Sequence, residues 1–276
     1  MHFASDVSEL MRSVADAVVT PRFRRLAAHE ITEKSPGELV TAADLEAEFR
    51  LTAGLAALCP EARIVGEEAA ADDPGMLDNL GDGMVWLIDP VDGTANFAAG
   101  REPFGMMVAL VENGITLAGW MLAPASGRLC HAERGRGATV DGERVPPPAK
   151  VRARPRAALG THFLPAEHRE HVHAIAARTL EVHPVPRCAA ESYARLALGK
   201  DDISLFQRTL PWDHAAGALF VQEAGGKVTD WHGNPWRIGS AAPGILAGAD
   251  ELAWAAGAEA LLIPESGLLD VESCPS

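Results

Sequence analysis

The sequence predicts an α+β fold in which sheets and helices stack in layers. Residues 104–145 carry strand-like runs separated only by turns: Met106–Val111, Ile115–Leu122, Arg128–Glu133 and Ala138–Val140. Beyond residue 151, strand-like and helix-like segments alternate instead. An antiparallel half followed by αβ alternation fits stacked sheets and helices. At 276 residues the chain can bury a large core, as one extended domain or two closely joined ones.

The elements follow in order. Residues 5–30 read as one amphipathic helix, because Val7, Leu10, Met11, Val14 and Val18 recur at helical spacing. Thr41 is the predicted N-cap of a second helix that runs to Leu58, with Pro60 ending it. A short β-branched strand at Ile64-Val65 leads to a loop, Ala69–Gly83, rich in Asp, Gly and Pro and placed near the mouth of the site. Asn113-Gly114 is a hairpin signal. Pro146-Pro147-Pro148 marks a break, dividing the chain into halves at 1–150 and 151–276. In the second half, strands at Ala157–Gly160, Ile203–Gln207, Gly226–Thr229 and Gly244–Ala247 alternate with helices around 166–180, 189–199, 213–224 and 250–262. Glu223 with Gly225-Gly226 reads as a helix end, glycine being suited to the C-terminal cap.

Composition narrows the function classes. A net charge of −14 argues against a general nucleic-acid binder, which needs a basic footprint. No run approaches the ~18 apolar residues of a membrane span. No charged n-region precedes an apolar stretch, so no secretory signal is visible and a cytoplasmic location is expected. Cys59, Cys130, Cys188 and Cys274 are scattered, without Cys-x-x-Cys pairing, and are expected to be reduced thiols. His162, His168, His171 and His173 cluster in sequence but offer no closed zinc ligand set, and they read as exposed histidines.

The chemistry concentrates in Trp86–Phe97. An apolar run ends in Asp89 and Asp92, three residues apart, followed at once by Gly93-Thr94. Hard divalent cations such as Mg²⁺ take carboxylate oxygens together with substrate phosphate. Pro90 stiffens the turn, Gly93 allows close backbone approach, and a helix opening at Thr94 aims amides at an anion. Taken alone, Asp-Pro-x-Asp-Gly reads equally well as an ordinary surface turn. Arg63–Glu68 is a second β-branched run ending in carboxylates, and Leu210–Gly217 places Asp213 at the start of a helix. Turn chemistry does not explain three such acidic ends.

These three segments resemble the signatures of the inositol monophosphatase family, within the lithium-sensitive, Mg²⁺-dependent phosphatases. The resemblance rests on Gly66-Glu67-Glu68, on Asp89-Pro90-Val91-Asp92-Gly93-Thr94-Ala95-Asn96-Phe97, and on Trp212-Asp213-His214-Ala215-Ala216-Gly217, in that order. Lys34-Ser35-Pro36 with Leu39–Asp44, and Gly135–Ala138 with Asp141-Gly142, extend it to roughly residues 5–265. It implies an αβαβα sandwich, a homodimer, and a small phosphorylated metabolite as substrate. The first half would carry most metal ligands, and the second would supply Asp213 and the substrate pocket.

Carried over residue by residue, the resemblance assigns one Mg²⁺ to Glu67, Asp89 and the Val91 carbonyl. A second falls to Asp89, Asp92 and Asp213, with a third near Glu67. Thr94 and Asp44 become the proton-handling pair, with Glu67 orienting the attacking water. The amides of Gly93 and Thr94 would hold the phosphate, Lys34 would add positive charge, and Glu68 is an accessory carboxylate. Animal-type members have a glutamate seven residues before the motif aspartate, where this chain has Phe206 beside Gln207. Their Gly-x-Ala segment is matched only partly by Arg187-Cys188-Ala189. Arg187 suits a second phosphate or another anion, or a structural salt bridge. The expected activity is therefore phosphomonoester hydrolysis, with myo-inositol 1-phosphate the leading substrate. Histidinol phosphate, fructose 1,6-bisphosphate and 3′-phosphoadenosine 5′-phosphate are the alternatives, along with a catalytically silent binding protein.

Overall fold

The chain opens with α1 (Ala4–Val14), a π-helical turn over Ala15–Val19 and a last turn, α2 (Thr20–Arg22), in a computed structural model that describes residues 3–35, 37–146, 152–239 and 243–270. The single helix expected over 5–30 therefore stops at Arg22. Phe23 leaves the helix to pack on Phe97 and Phe104, with ring centroids 5.9 and 4.6 Å away, and Arg24 takes φ 61°. Tertiary packing overrides the helical period here. A hairpin that the sequence reading missed follows, β1 (Ile31–Ser35) with β2 (Glu38–Thr41).

The next helix, α3 (Ala42–Leu58), begins as expected at Thr41. Its hydroxyl accepts from the Ala43 amide at 3.2 Å, and the Thr41 amide donates back to Asp44 at 2.8 Å. That reciprocal pair is a capping box. Strand β3 (Arg63–Gly66) runs directly into α4 (Glu67–Asp72), so the expected loop over 69–83 starts out helical. Glu48 supplies the reason. Its carboxylate accepts the Glu68 and Ala69 amides at 2.8 Å each, capping α4 from another helix. A Cβ on Gly66 would lie 2.2 Å from that carboxylate carbon, which is why the residue before Glu67 is glycine.

Then come β4 (Met84–Asp92), α5 (Thr94–Ala98), β5 (Gly105–Glu112), β6 (Ile115–Ala123), β7 (Arg128–Glu133), β8 (Gly137–Val140) and β9 (Glu143–Arg144). With β3 they form one seven-stranded sheet, in sequential order. Only the β3–β4 pair is parallel. Asn113 and Gly114 both have positive φ, as the β5–β6 hairpin requires. Glu223 accepts the Gly135 and Gly137 amides at 2.8 Å, tying the β7–β8 turn to the layer above.

The remaining elements are β10 (Arg156–Gly160), α6 (Ala166–Ala176), β11 (Glu181–His183), α7 (Ala189–Ala197), β12 (Ile203–Phe206), α8 (Pro211–Glu223), β13 (Lys227–Asp230), β14 (Ile245–Gly248) and α9 (Glu251–Leu261). Their five strands pair in the order β11-β10-β12-β14-β13. Residues 147–151, where the break was expected, and Cys274 lie outside the described residues.

Side-chain alternation sorts the layers. On β4, Trp86 and Ile88 join the core under α1 and α3, while Val85 and Leu87 join the core under α7 and α8. Strands have a side-chain period of two, so one strand feeds both cores. Helices α7 and α8 also cover the five-stranded sheet, whose far face packs on α6 and α9. The result is the layered αβαβα sandwich. Cys59, Cys130 and Cys188 are free thiols. Among the described residues no helix is long and apolar enough to cross a membrane.

Candidate active site

Parallel pairing of β3 and β4 sets Gly66 opposite Ile88, so the two strands release Glu67 and Asp89 side by side. Asp213 arrives from the first turn of α8. These three carboxylates each offer an oxygen, all within 4.8 Å of one another. Asp89 is buried, and its Oδ1 has no hydrogen-bond partner. Burial, and then the charges of Glu67, Asp92 and Asp213, push the Asp89 pKa well above the carboxylate range. Asp213 is raised well above it by burial and by Glu67 and Asp92. Gathered like charges with an orphaned oxygen are costly unless a cation completes them. An all-oxygen donor set suits a hard ion such as Mg²⁺, so the residues present fit the metal.

Thr94 Oγ1 lies 2.9 Å from the Val91 carbonyl and 3.2 Å from Asp44 Oδ1. One hydroxyl proton therefore faces two acceptors. Asp44 is buried; desolvation, tempered by its bonds from Thr41 and raised again by the Glu67 charge, sets its pKa at about 6. Asp44 is thus both a helix cap and the partner of Thr94. The β4–β5 ladder shifts register between Asp89 and Asp92, an irregularity of the kind that bends a strand end.

Lys34, on β1, donates to Glu67 at 2.7 Å and to both Glu68 oxygens at 2.9 and 2.8 Å. Burial opposes its charge, but Glu67 and Glu68 outweigh burial and raise its pKa. Glu68 itself is pushed up to about 8, by burial and then by the Glu67 charge. The missed hairpin therefore carries a cation into the acidic cluster.

Asp92 sits outside the three-carboxylate group. Its Oδ2 accepts the Cys188 thiol at 2.9 Å and the Ala190 amide at 2.7 Å, and its Oδ1 accepts the Ala189 amide at 2.9 Å. Gly93 is left-handed at φ 82°, and a Cβ there would lie 3.1 Å from the Arg187 carbonyl. Arg187 is exposed beside this turn. Phe206 stacks on Tyr193 at 4.7 Å and meets His214 edge-on at 5.1 Å, so much of its ring serves packing. Gln207 is buried, its Oε1 unpartnered.

Three participants escaped sequence reading: Glu48, Cys188 as a donor to Asp92, and Arg208. Arg208 pairs with Glu38 of the β1–β2 hairpin, and its carbonyl accepts His214 Nε2–H at 2.6 Å. That bond fixes the His214 tautomer, so Nδ1 accepts the Tyr193 hydroxyl at 2.9 Å. Burial lowers the His214 pKa to about 4 and keeps the ring neutral. Of the clustered histidines expected to be exposed, His162 and His171 are exposed, while His168 and His173 are half-buried. His168 and His171 bond the carbonyls of Ser266 and Glu265, and His173 bonds Thr161.

Against known proteins, the sequence matches the inositol monophosphatase family over residues 4–263. The chain belongs to the inositol monophosphatase family. It is 31% identical to the inositol-1-monophosphatase of Bacillus subtilis over 208 residues, 74% of this chain and 77% of that one. It is 32% identical to the fructose-1,6-bisphosphatase/inositol-1-monophosphatase of Thermotoga maritima over 204 residues, 73% of this chain and 75% of that one. The solved Thermotoga maritima IMPase superposes with a TM-score of 0.80 at 26% identity, covering 97% of this chain and all of that one. Family membership makes the chain a phosphatase, a phosphoric monoester hydrolase, and accounts for the shared sandwich. Within the family, the relatives' names differ in substrate.

Proposed function

We propose that the chain hydrolyses the phosphate monoester of a small metabolite with Mg²⁺, and that myo-inositol 1-phosphate is its leading substrate. The observation that carries this reading is the meeting of Glu67, Asp89 and Asp213 within 4.8 Å, beside the Thr94–Asp44 pair. Two Mg²⁺ would be held by Glu67, Asp89, Asp213 and the Val91 carbonyl, with Asp92 contributing through Oδ1, which accepts one amide and keeps a lone pair. A third would be held near Glu67. Bound there, Mg²⁺ supplies charge that acidifies water and offsets the phosphoryl oxygens.

The chain's own groups do the rest. Attacking water donates to Thr94 Oγ1, whose proton passes towards Asp44 Oδ1, 3.2 Å away. Asp44, with its pKa at about 6, is ionised at neutral pH and ready to accept it. Glu67 orients the water. The amides of Gly93 and Thr94 precede the first bond of α5, from the Asn96 amide to the Gly93 carbonyl, and bind phosphoryl oxygens. Lys34 balances charge as the phosphate arrives, with Glu68 holding it. Arg187, Ala189, Phe206 and Gln207 flank the leaving group.

A second reading, a sugar bisphosphate, is favoured by the exposed arginine at position 187. The name of the Thermotoga maritima relative joins both substrates in one protein. A homodimer, a cytoplasmic site and inhibition by Li⁺ belong to the same proposal. The test is a panel of phosphoesters compared by kcat/KM with Mg²⁺ and with chelator. Turnover that survives complete chelation, or none with Mg²⁺ on any ester, would overturn it.

A further inference from the structure

Among the described residues, five that are not glycine adopt positive φ: Arg24, Asn79, Asn113, Asp141 and Arg187. Asn and Asp tolerate the left-handed region through local hydrogen bonds. The two arginines are the exceptions. Arg24 has visible compensation, since its Nε donates to the Gly100 carbonyl at 3.0 Å and its guanidinium lies 4.8 Å over the Phe23 ring. Arg187, at φ 56°, has none: among the described residues its side chain makes no hydrogen bond or ion pair.

The Arg187 backbone, by contrast, is pinned. Its carbonyl faces the Asn96 amide nitrogen at 3.4 Å and abuts Gly93, and the next residue's thiol holds Asp92. Glycine would take this conformation without strain, so the arginine side chain is retained against a local preference. Backbone outliers of this kind point from strain to function.

The surroundings are positive. Arg208 lies 4.8 Å over Phe163, whose ring is 4.1 Å from His162. Desolvation, then the charges of Arg187, Arg208 and Arg169, lower the His162 pKa to about 4. Arg208 is already committed to Glu38. In a chain of net charge −14, an arginine whose backbone abuts the Gly93 turn and whose guanidinium has no carboxylate partner among the described residues stands out.

We propose that Arg187 is a specificity-determining residue that binds a second anionic group, phosphate or carboxylate, on the leaving alcohol. The favoured substrates are then phosphomonoesters with an anionic tail, which selects the bisphosphate reading of the site over the inositol one. This rests on the phosphatase reading above. A planar guanidinium fork binds either oxyanion bidentately, whereas an inositol ring offers only neutral hydroxyls.

The experiment compares wild type, Arg187→Gly and Arg187→Lys on fructose 1,6-bisphosphate, 3-phosphoglycerate and glycerol 1-phosphate. Glycine suits φ 56°, so the Gly variant should melt at or above the wild-type temperature, which removes misfolding as an explanation. The ratio of kcat/KM for a tailed ester over glycerol phosphate should fall on the order of 10- to 100-fold in Arg187→Gly, mainly through KM. Arg187→Lys should fall in between. A fall for bisphosphate alone, or for phosphoglycerate alone, supports the proposal and names the anion. Ratios unmoved in both variants, with all three proteins active, would overturn it and leave the phosphatase reading standing. No turnover by wild type on any of the three with Mg²⁺ would overturn the proposal, and the phosphatase reading falls with it only if myo-inositol 1-phosphate is not turned over either.

Discussion

The Cys188 thiol donates to Asp92 Oδ2 at 2.9 Å, joining residues 96 positions apart across the two halves of the site. Burial, and then the Asp92 charge, raise the Cys188 pKa well above that of an ordinary thiol, so it stays protonated and donates. With the Ala189 and Ala190 amides, it seats Asp92 on the opening turn of α7. Cys188→Ala should leave Asp92 on its amides alone, costing about 1 kcal/mol of stability and lowering kcat several-fold. Cys188→Ser keeps a donor and should retain most of both. Melting curves and steady-state kinetics decide it; identical Ala and Ser variants would mean that the thiol only fills space. The native thiol should also resist a thiol reagent until the chain unfolds.

Asp89→Asn should separate activity from stability. The substitution removes a ligand shared by the proposed ions, and even groups that merely orient metal ligands are worth 10- to 100-fold, so loss of activity on the order of 100-fold or more is expected. Without metal, however, Asp89 is a buried carboxylate pressed by Glu67, Asp92 and Asp213. Removing its charge should raise the melting temperature in chelator above that of wild type. In saturating Mg²⁺ the order should reverse. A variant less stable than wild type under both conditions would show that Asp89 is held by something other than cation binding.

The pH dependence of the metal-free chain follows from the same cluster. Asp44 titrates at about 6 and Glu68 at about 8, and Asp89 and Asp213 are also raised. Unfolded carboxyls titrate near pH ~4. Between roughly pH 4 and 8 the folded state therefore binds more protons than the unfolded state, and stability falls as pH rises. Mg²⁺ bound as proposed would compete with those protons and stabilise the form that has lost them. The difference in melting temperature between Mg²⁺ and chelator should grow from pH 5 to pH 8. Stability in chelator that climbs over that interval would contradict the cluster.

The parts of the fold legible in sequence were those written locally. The strand ending at Asp92, the Thr41 cap and the Asn113-Gly114 turn each carry their signal within a few residues. Layer order came from the family resemblance, and alternation along β4 shows its physical basis. What escaped depends on distant partners. Phe23 ends the first helix because Phe97 and Phe104 receive it, and Glu48 makes Glu67–Asp72 helical by capping it from α3. The β1–β2 hairpin is mostly polar, with β1 partly exposed and β2 half-buried, a burial pattern that gives no clean alternation. In the site, the carboxylates were legible as strand and helix ends. Cys188, Arg208 and the left-handed backbone of Arg187 are visible only once the loops meet.

Gly217, the last residue of the Trp-Asp-x-Ala-Ala-Gly signature, offers the sharpest test of packing against propensity. It lies inside α8, where alanine would favour the helix by about 1 kcal/mol. A Cβ at this position would fall 1.9 Å from Tyr193 Cδ2 and 2.3 Å from Cγ. Tyr193 cannot swing aside. It is fully buried, stacks on Phe206 at 4.7 Å, and holds His214 Nδ1 through its hydroxyl at 2.9 Å. Overpacking costs about 1–3 kcal/mol or more, so the clash should win, with net destabilisation of about 2 kcal/mol. Because His214 follows Asp213, the displaced tyrosine should also weaken Mg²⁺ affinity measured by titration. Gly54→Ala in α3 is the matched control. Its Cβ would meet only the flexible end of Leu10, at 2.6 Å, so the variant should stay within about 0.5 kcal/mol of wild type. Gly217→Ala as stable as Gly54→Ala, with unchanged Mg²⁺ affinity, would show that Tyr193 can yield and that the glycine is not there to seat it.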